Sequence, residues 1–271
     1  MFGFFKKKKK KETKAPTRDL FAELFPLTAT KKAEIDEAVS KTQQQMHGEE
    51  GLAELRNYTR NYESKIAQLQ SLEFDNFNWK LHESTDEHCL YVSEYGDTLE
   101  VAIVSPNGEM KKETAIKEMP IYRNWIRDIA VKEGGGLIYS EAFTLENGLT
   151  GSETILKIPR KEGTGMDYTY LLNLHNYIEQ KLYQIVFRVY EMSPTGMRDN
   201  IFLFPISQVV GSEVLDLPEL YRQDPYDKHF TDGNTMNLSE REEFDHLFPF
   251  HPLSIIRREI IPQIKERLKF L

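Results

Sequence analysis

Among the 271 residues, the segment Thr195-Gly196-Met197-Arg198-Asp199-Asn200 carries the most pointed chemistry. Gly196 frees the backbone to turn out of a long strand pattern, which places Arg198 and Asp199 in the first turn of a helix. An acidic side chain there complements the positive end of the helix dipole. Arg198, close to first-turn amides that lack helical partners, can receive an anion or the carboxylate of a partner. An ordinary cap with a surface arginine uses the same residues, and both readings stay open.

The other reactive residue types are less well placed. His88-Cys89 pairs a base with a nucleophile, but strand neighbours point to opposite faces, so a buried apolar cysteine is expected. Asp224, Asp227, His229 and Asp232 offer metal ligands without the alternation and the glycine of a calcium loop, which leaves a solvated acidic loop. Asp245-His246 and His251 flank Phe248-Pro249-Phe250; docking by the aromatic rings, with His251 capping the next helix, is preferred to metal binding. Gly163-Thr164-Gly165 reads as a hairpin turn. The sequence holds no phosphate loop, nucleophile elbow or zinc-protease helix. No metal and no cofactor is expected.

Charge is divided unevenly. Residues 1–18 hold eight Lys/Arg against Glu12, while the remainder holds 27 basic and 42 acidic residues. An acidic body repels nucleic-acid phosphates, so a nucleic-acid role is not expected. A single cysteine forms no intramolecular disulfide and points to a reducing compartment. Apolar runs are four residues long where a membrane helix needs about 20, and no apolar stretch follows the lysines as a signal peptide requires. A cytoplasmic location is expected. Six consecutive lysines and Pro16 read as a disordered tail. Phe2, Phe4 and Phe5 beside Lys6, Lys7, Lys8, Lys9, Lys10 and Lys11 suit an anionic membrane surface, or a merely solvated tail.

The elements that would position these residues follow from apolar spacing. Residues 19–75 read as a helical hairpin, with a thin stripe at Ile35, Ala38, Val39 and Met46. A stronger stripe runs through Leu52, Leu55, Tyr58, Tyr62, Ile66, Leu69 and Leu72. From residue 76 the period becomes two, giving strands around Trp79–Leu81, Leu90–Val92 and Leu99–Val104. A helix after Pro120 carries Ile121, Tyr122, Trp125, Ile126 and Ile129 on one side. Strands resume at Leu137–Leu145 and Thr154–Ile158, joined through Asn147-Gly148. Met166–Leu174 and Leu182–Glu191 then form a long antiparallel pair. Pro205 leaves the end of the next helix open. Residues 216–271 read as a C-terminal arm ending in a helix that Pro262 kinks or splits.

The blocks Tyr122-Arg123-Asn124-Trp125-Ile126-Arg127, Gly135–Glu141, Thr195–Asn200 and Phe248–Ser254 with Arg257 resemble an uncharacterised bacterial family. The element order over about residues 76–210, within an α+β domain read over residues 76–215, is similar to the PsbP and Ran-binding Mog fold. That resemblance implies an antiparallel sheet flanked by helices and a non-catalytic binding role, and it supplies no catalytic residues. The expectation is therefore an α+β protein acting as a binding or adaptor module, in one version an inhibitor that neutralises a basic partner. Arg198, Asp199, Arg123, Trp125, His251 and Arg257 are its candidate contacts. The alternative is a hydrolase using Asp and His residues of the C-terminal region.

Overall fold

A computed structural model describes residues 28–57, 62–105, 118–161, 165–191, 197–211, 222–227 and 229–271. The candidate membrane residues Phe2 to Lys11 and the turn at Thr195-Gly196 lie outside them. The architecture is α+β. Seven antiparallel strands form the main sheet in the order β3-β4-β5-β9-β8-β7-β6. They are β3 (Lys80–Ser84), β4 (His88–Val92), β5 (Thr98–Val104), β6 (Gly136–Thr144), β7 (Thr150–Pro159), β8 (Met166–Asn176) and β9 (Lys181–Tyr190).

The period-two pattern sets the register of its centre. Tyr170 lies opposite Phe187 and Leu172 opposite Ile185, so the apolar set of each strand falls on one face. Two tight turns join neighbouring strands, the first at the Asn147-Gly148 pair expected from the sequence. Gly148, at φ 82, closes the β6–β7 hairpin, with its N–H donating to Leu145 O. Between β8 and β9, the Asn176 side chain accepts from the amides of Ile178 and Glu179.

The buried face of the sheet is covered by the C-terminal segment. Helix α4 (Pro252–Ile255), a π-helical turn (Ile256–Ile260) and helix α5 (Ile261–Arg267) run on continuously. Their Leu253, Ile256, Ile260 and Ile264 pack with Tyr170, Leu172, Ile185 and Phe187 in one core. Pro262 has no N–H to give and its ring crowds the carbonyl four residues back; a widened turn just before it accommodates both facts. The segment expected as an arm is thus part of the main core.

Helix α1 (Ala29–Asn57) is broken at Gly48, whose φ of 63 and ψ of 178 are not helical. Its expected stripe is real at Ile35 and Val39, which pack on α3 (Met197–Val210) through Ile201, Phe202 and Ile206. Pro205 does not end α3. The second stripe needs correction, because the chain forms β1 (Ile66–Leu69) and β2 (Leu72–Asp75) where a helix to Leu72 was expected. The reason is non-local: β2 pairs with β12 (Lys269–Phe270), almost two hundred residues away in the chain. That pairing satisfies β2 backbone groups that a local apolar spacing says nothing about.

Helix α2 (Met119–Lys132) begins with Pro120 in its first turn. It lies over β6 and β7 on the face opposite the main core. Gly135 and Gly136 follow it, and the strand pair β10 (Arg222–Gln223) and β11 (Met236–Asn237) lies nearby. Asn234 N–H donates to Gly135 O at 2.9 Å. A Cβ at Gly136 would overlap the backbone of Asn234, so only glycine admits this crossing.

Candidate functional site

The residues singled out from the sequence occupy two places. Four of them, Arg198, Asp199, His251 and Arg257, converge inside the protein. The first turn of α3 aims Arg198 inward, leaving it 3% exposed. Its Nε donates to Ser239 O at 2.8 Å, its Nη1 lies 3.2 Å from both Ser254 Oγ and His251 Nδ1, and its Nη2 pairs with Asp245 Oδ1 at 3.0 Å. The guanidinium also lies 5.0 Å over the ring of Phe248. This corrects the expected surface contact: Arg198 is buried, and among the described residues the segment 237–254 supplies its acceptors.

The neighbours complete a buried polar node. Arg257 donates to Glu240 O at 2.8 Å and pairs with Asp245 at 3.3 Å. Asp199 accepts from Asn237 Nδ2 at 2.6 Å and from the Ser239 hydroxyl. His251 caps α4, its Nδ1 accepting from the amide of Leu253 at 3.3 Å, which is the role expected of it. Phe248 is buried against α1 and α3, so one of the two rings expected to dock does so there.

Sequence reasoning missed Lys157, Tyr168, Glu191 and Glu240. Lys157 and Glu240, 1% and 2% exposed, pair at 2.6 Å. Glu240 also accepts from Tyr168 OH at 2.7 Å and from Asn237 N at 2.6 Å. Burial pushes its carboxyl up, but the Lys157 ammonium and these donors outweigh that and hold it below the usual carboxylate range. One signal was available: Lys157 follows Ile155 by two residues, so it occupies a core-facing position of β7.

The second place is the flank of α2. The five apolar residues expected on one side divide. Ile126 packs on Leu137, Leu156, Leu171 and Val186, with Tyr122 and Ile129 beside it. Trp125 and Ile121 remain 56% and 71% exposed. At 100° per residue Trp125 and Ile121 lie just outside Tyr122. The Tyr122 OH accepts from Asn173 Nδ2 of β8 at 3.0 Å, and its ring lies 5.8 Å from the indole. The exposed pair therefore looks toward β8 and β9. There the sheet surface is half-buried and polar, formed by Gln184, Arg188, Glu100 and His88. Glu100 joins Arg188 at 3.2 Å to His88 at 3.3 Å. Arg123 turns the other way, donating to Ser140 O at 2.7 Å, pairing with Glu141 and lying over the Tyr226 ring. It locks α2 to the sheet rather than facing outward with Trp125.

The residues available for other chemistry are separated. Cys89 is buried in the main core, and that burial pushes its thiol up to about 11. Asp224 accepts from the amides of Tyr226 and Asp227 and pairs with Arg127 at 3.5 Å. Among the described residues no three His, Cys, Asp or Glu are grouped to hold a metal ion. No helix among them is long and apolar enough to cross a membrane.

No protein-family model matches the chain, and no curated protein matches it. Solved structures similar to it include a point mutant of the protein Mog1, at 13% identity over 58% of this chain and 93% of that one, TM-score 0.35. The Saccharomyces cerevisiae Ran-binding protein Mog1p is similar at 13% identity over the same shares, TM-score 0.33. A Pseudomonas aeruginosa protein of unknown function, titled a putative regulator, is similar at 8% identity over 56% of this chain and 93% of that one, TM-score 0.29. Likenesses of this size assign neither a family nor a function.

Proposed function

We propose that this chain is a non-catalytic binding module that docks a basic protein partner on the α2 flank and the adjoining β9–β5 surface. The observation that carries the reading is the exposure of Trp125 and Ile121, side by side on a helix whose other apolar residues are packed. Aromatic anchors of this kind dominate interface energies. The excess of 42 acidic over 27 basic residues beyond residue 18 favours a partner of opposite charge and speeds its encounter. The hydrolase alternative loses its best acid–base candidates, since the side chains of Asp245 and His251 are 3% and 7% exposed and both engaged by Arg198.

A photo-cross-linking residue in place of Trp125 should capture one protein in the native cell, and the same residue in place of Glu133 should not. The captured protein should be basic, and its yield should fall as salt rises. Capture at both positions alike, or at neither, contradicts the reading.

The same proposal gives residues 1–18 a role in recruitment. Three phenylalanines and six consecutive lysines suit a surface of anionic lipid, at about 1 kcal/mol per basic residue near it. Full-length protein should sediment with vesicles containing phosphatidylserine, and deletion of residues 1–18 should abolish this without altering the melting temperature. Equal sedimentation of the truncated protein rules the role out.

A further inference from the structure

The buried node ends on a further carboxylate, that of Glu191. Glu191, directly after β9, is 4% exposed. One oxygen accepts from the Met166 amide at 3.3 Å, and the other faces His251 Nε2 at 3.9 Å. Among the described residues no lysine or arginine lies within ion-pair distance of its carboxylate. Arg160, at the end of β7, binds the Glu191 backbone carbonyl at 2.9 Å and spends its Nε on Asp167 of β8 at 2.8 Å.

His251 is fixed in one tautomer. Its Nδ1 receives the Leu253 amide and faces the Arg198 guanidinium, both of which can only donate. Nδ1 therefore carries no proton, and the ring proton lies on Nε2, the nitrogen 3.9 Å from the Glu191 carboxylate. Becoming an imidazolium would set a donor against two donors and lose the cap of α4.

The surroundings make a proton on Glu191 count. From α3 the node receives Asp199 and Arg198, and from the segment 238–247 it receives Glu240 and Asp245. From the helical turns after His251 it receives Arg257, and from the sheet Lys157 and Tyr168. With Glu191 ionised, its carboxylate adds to those of Asp199 and Glu240 nearby. Burial first, then the proximity of Asp199 and Glu240, lift Glu191 to about 7 against the opposing Met166 amide and Arg160.

We infer that Glu191 and His251 form a proton-operated latch that holds the start of α4 against the end of β9. Protonated, Glu191 is a neutral neighbour of the His251 N–H, and the segment stays seated. Ionised, it is a buried anion beside two others, and opening of the segment lets it reach water.

Amide hydrogen exchange on the full-length protein tests this, with rates corrected for intrinsic exchange. The reporters are the amides of Leu253 and Ile255, bonded to His251 Nδ1 and His251 O. A carboxyl near 7 when latched and at its ordinary value when open predicts an about 50-fold loss of protection from pH 5 to 7.5, levelling above that. Central β9 amides such as Ile185 should keep their protection better, and Glu191→Gln should flatten the profile. An unchanged profile in that variant, or a flat one in the wild type, overturns the latch. If Glu191→Gln does not fold, the carboxyl-carbon shift of Glu191 in the wild type decides. Titration near neutrality in step with protection supports the latch, and titration below pH 5 overturns it.

Discussion

Arg198→Ala should destabilise the protein by about 3–5 kcal/mol, the cost of leaving a buried charge without its partner. For a body of this size that lowers the melting temperature by about 10 °C. The alanine takes from Asp245 the nearer of its two cations, strands the carbonyl of Ser239, and unseats His251 and Ser254. Arg198→Lys should rescue little, since one ammonium cannot reproduce a fork that meets Ser239, Asp245 and Ser254 in different directions. Thermal unfolding of the three proteins measures both effects. A loss below about 1 kcal/mol would mean that Arg198 is solvated and return it to the list of partner contacts.

Lys157→Met should cost a similar about 3–5 kcal/mol at pH 7, and its pH dependence should have a distinctive sign. In the wild type Glu240 sits below the ordinary carboxylate value. Its contribution is present above that ordinary value and is lost as pH falls through the lowered one. Without the Lys157 ammonium, burial should outweigh the remaining donors, Tyr168 OH and Asn237 N, and raise Glu240, so protonation then relieves a penalty. The deficit of Lys157→Met relative to wild type should therefore shrink from pH 7 toward pH 5. Urea unfolding of both proteins at the two values decides, and a deficit that grows on acidification contradicts the assignment.

Where burial and local spacing agreed, the fold was legible in the sequence. The alternation through Tyr168, Tyr170, Leu172 and Tyr183, Ile185, Phe187 fixed an antiparallel pair and its face. Asn147-Gly148, Pro120 and the cap at His251 announced their turns and helix starts. β1 and β2 were hidden because their pairing comes from the other end of the chain, while Ile66, Leu69 and Leu72 keep helical spacing. The node was half legible. Arg198, Asp199, His251 and Arg257 were noticed, yet a charged residue in a helix's first turn reads as exposed unless its acceptors are known. Those acceptors lie about 40 to 55 residues further along, at Ser239, Asp245 and Ser254. Glu153 and Lys157 gave the clearer hint, two charges on the core-facing side of β7 with Ile155 between them. Trp125 was named with its helix, but its exposure depends on how α2 rolls onto β6 and β7, which no spacing records.

The central claim is that recognition occurs at Trp125 while Arg198 serves the fold, and one titration tests it most directly. The protein captured at position 125, once purified, is titrated with wild type and with Trp125→Ala, and the melting temperature of each is recorded. Removal of an aromatic anchor costs about 2–4 kcal/mol of binding, so affinity should fall about 30-fold or more while the melting temperature stays within a degree or two. Unchanged affinity, or a loss of affinity that merely accompanies a loss of stability, would contradict the account.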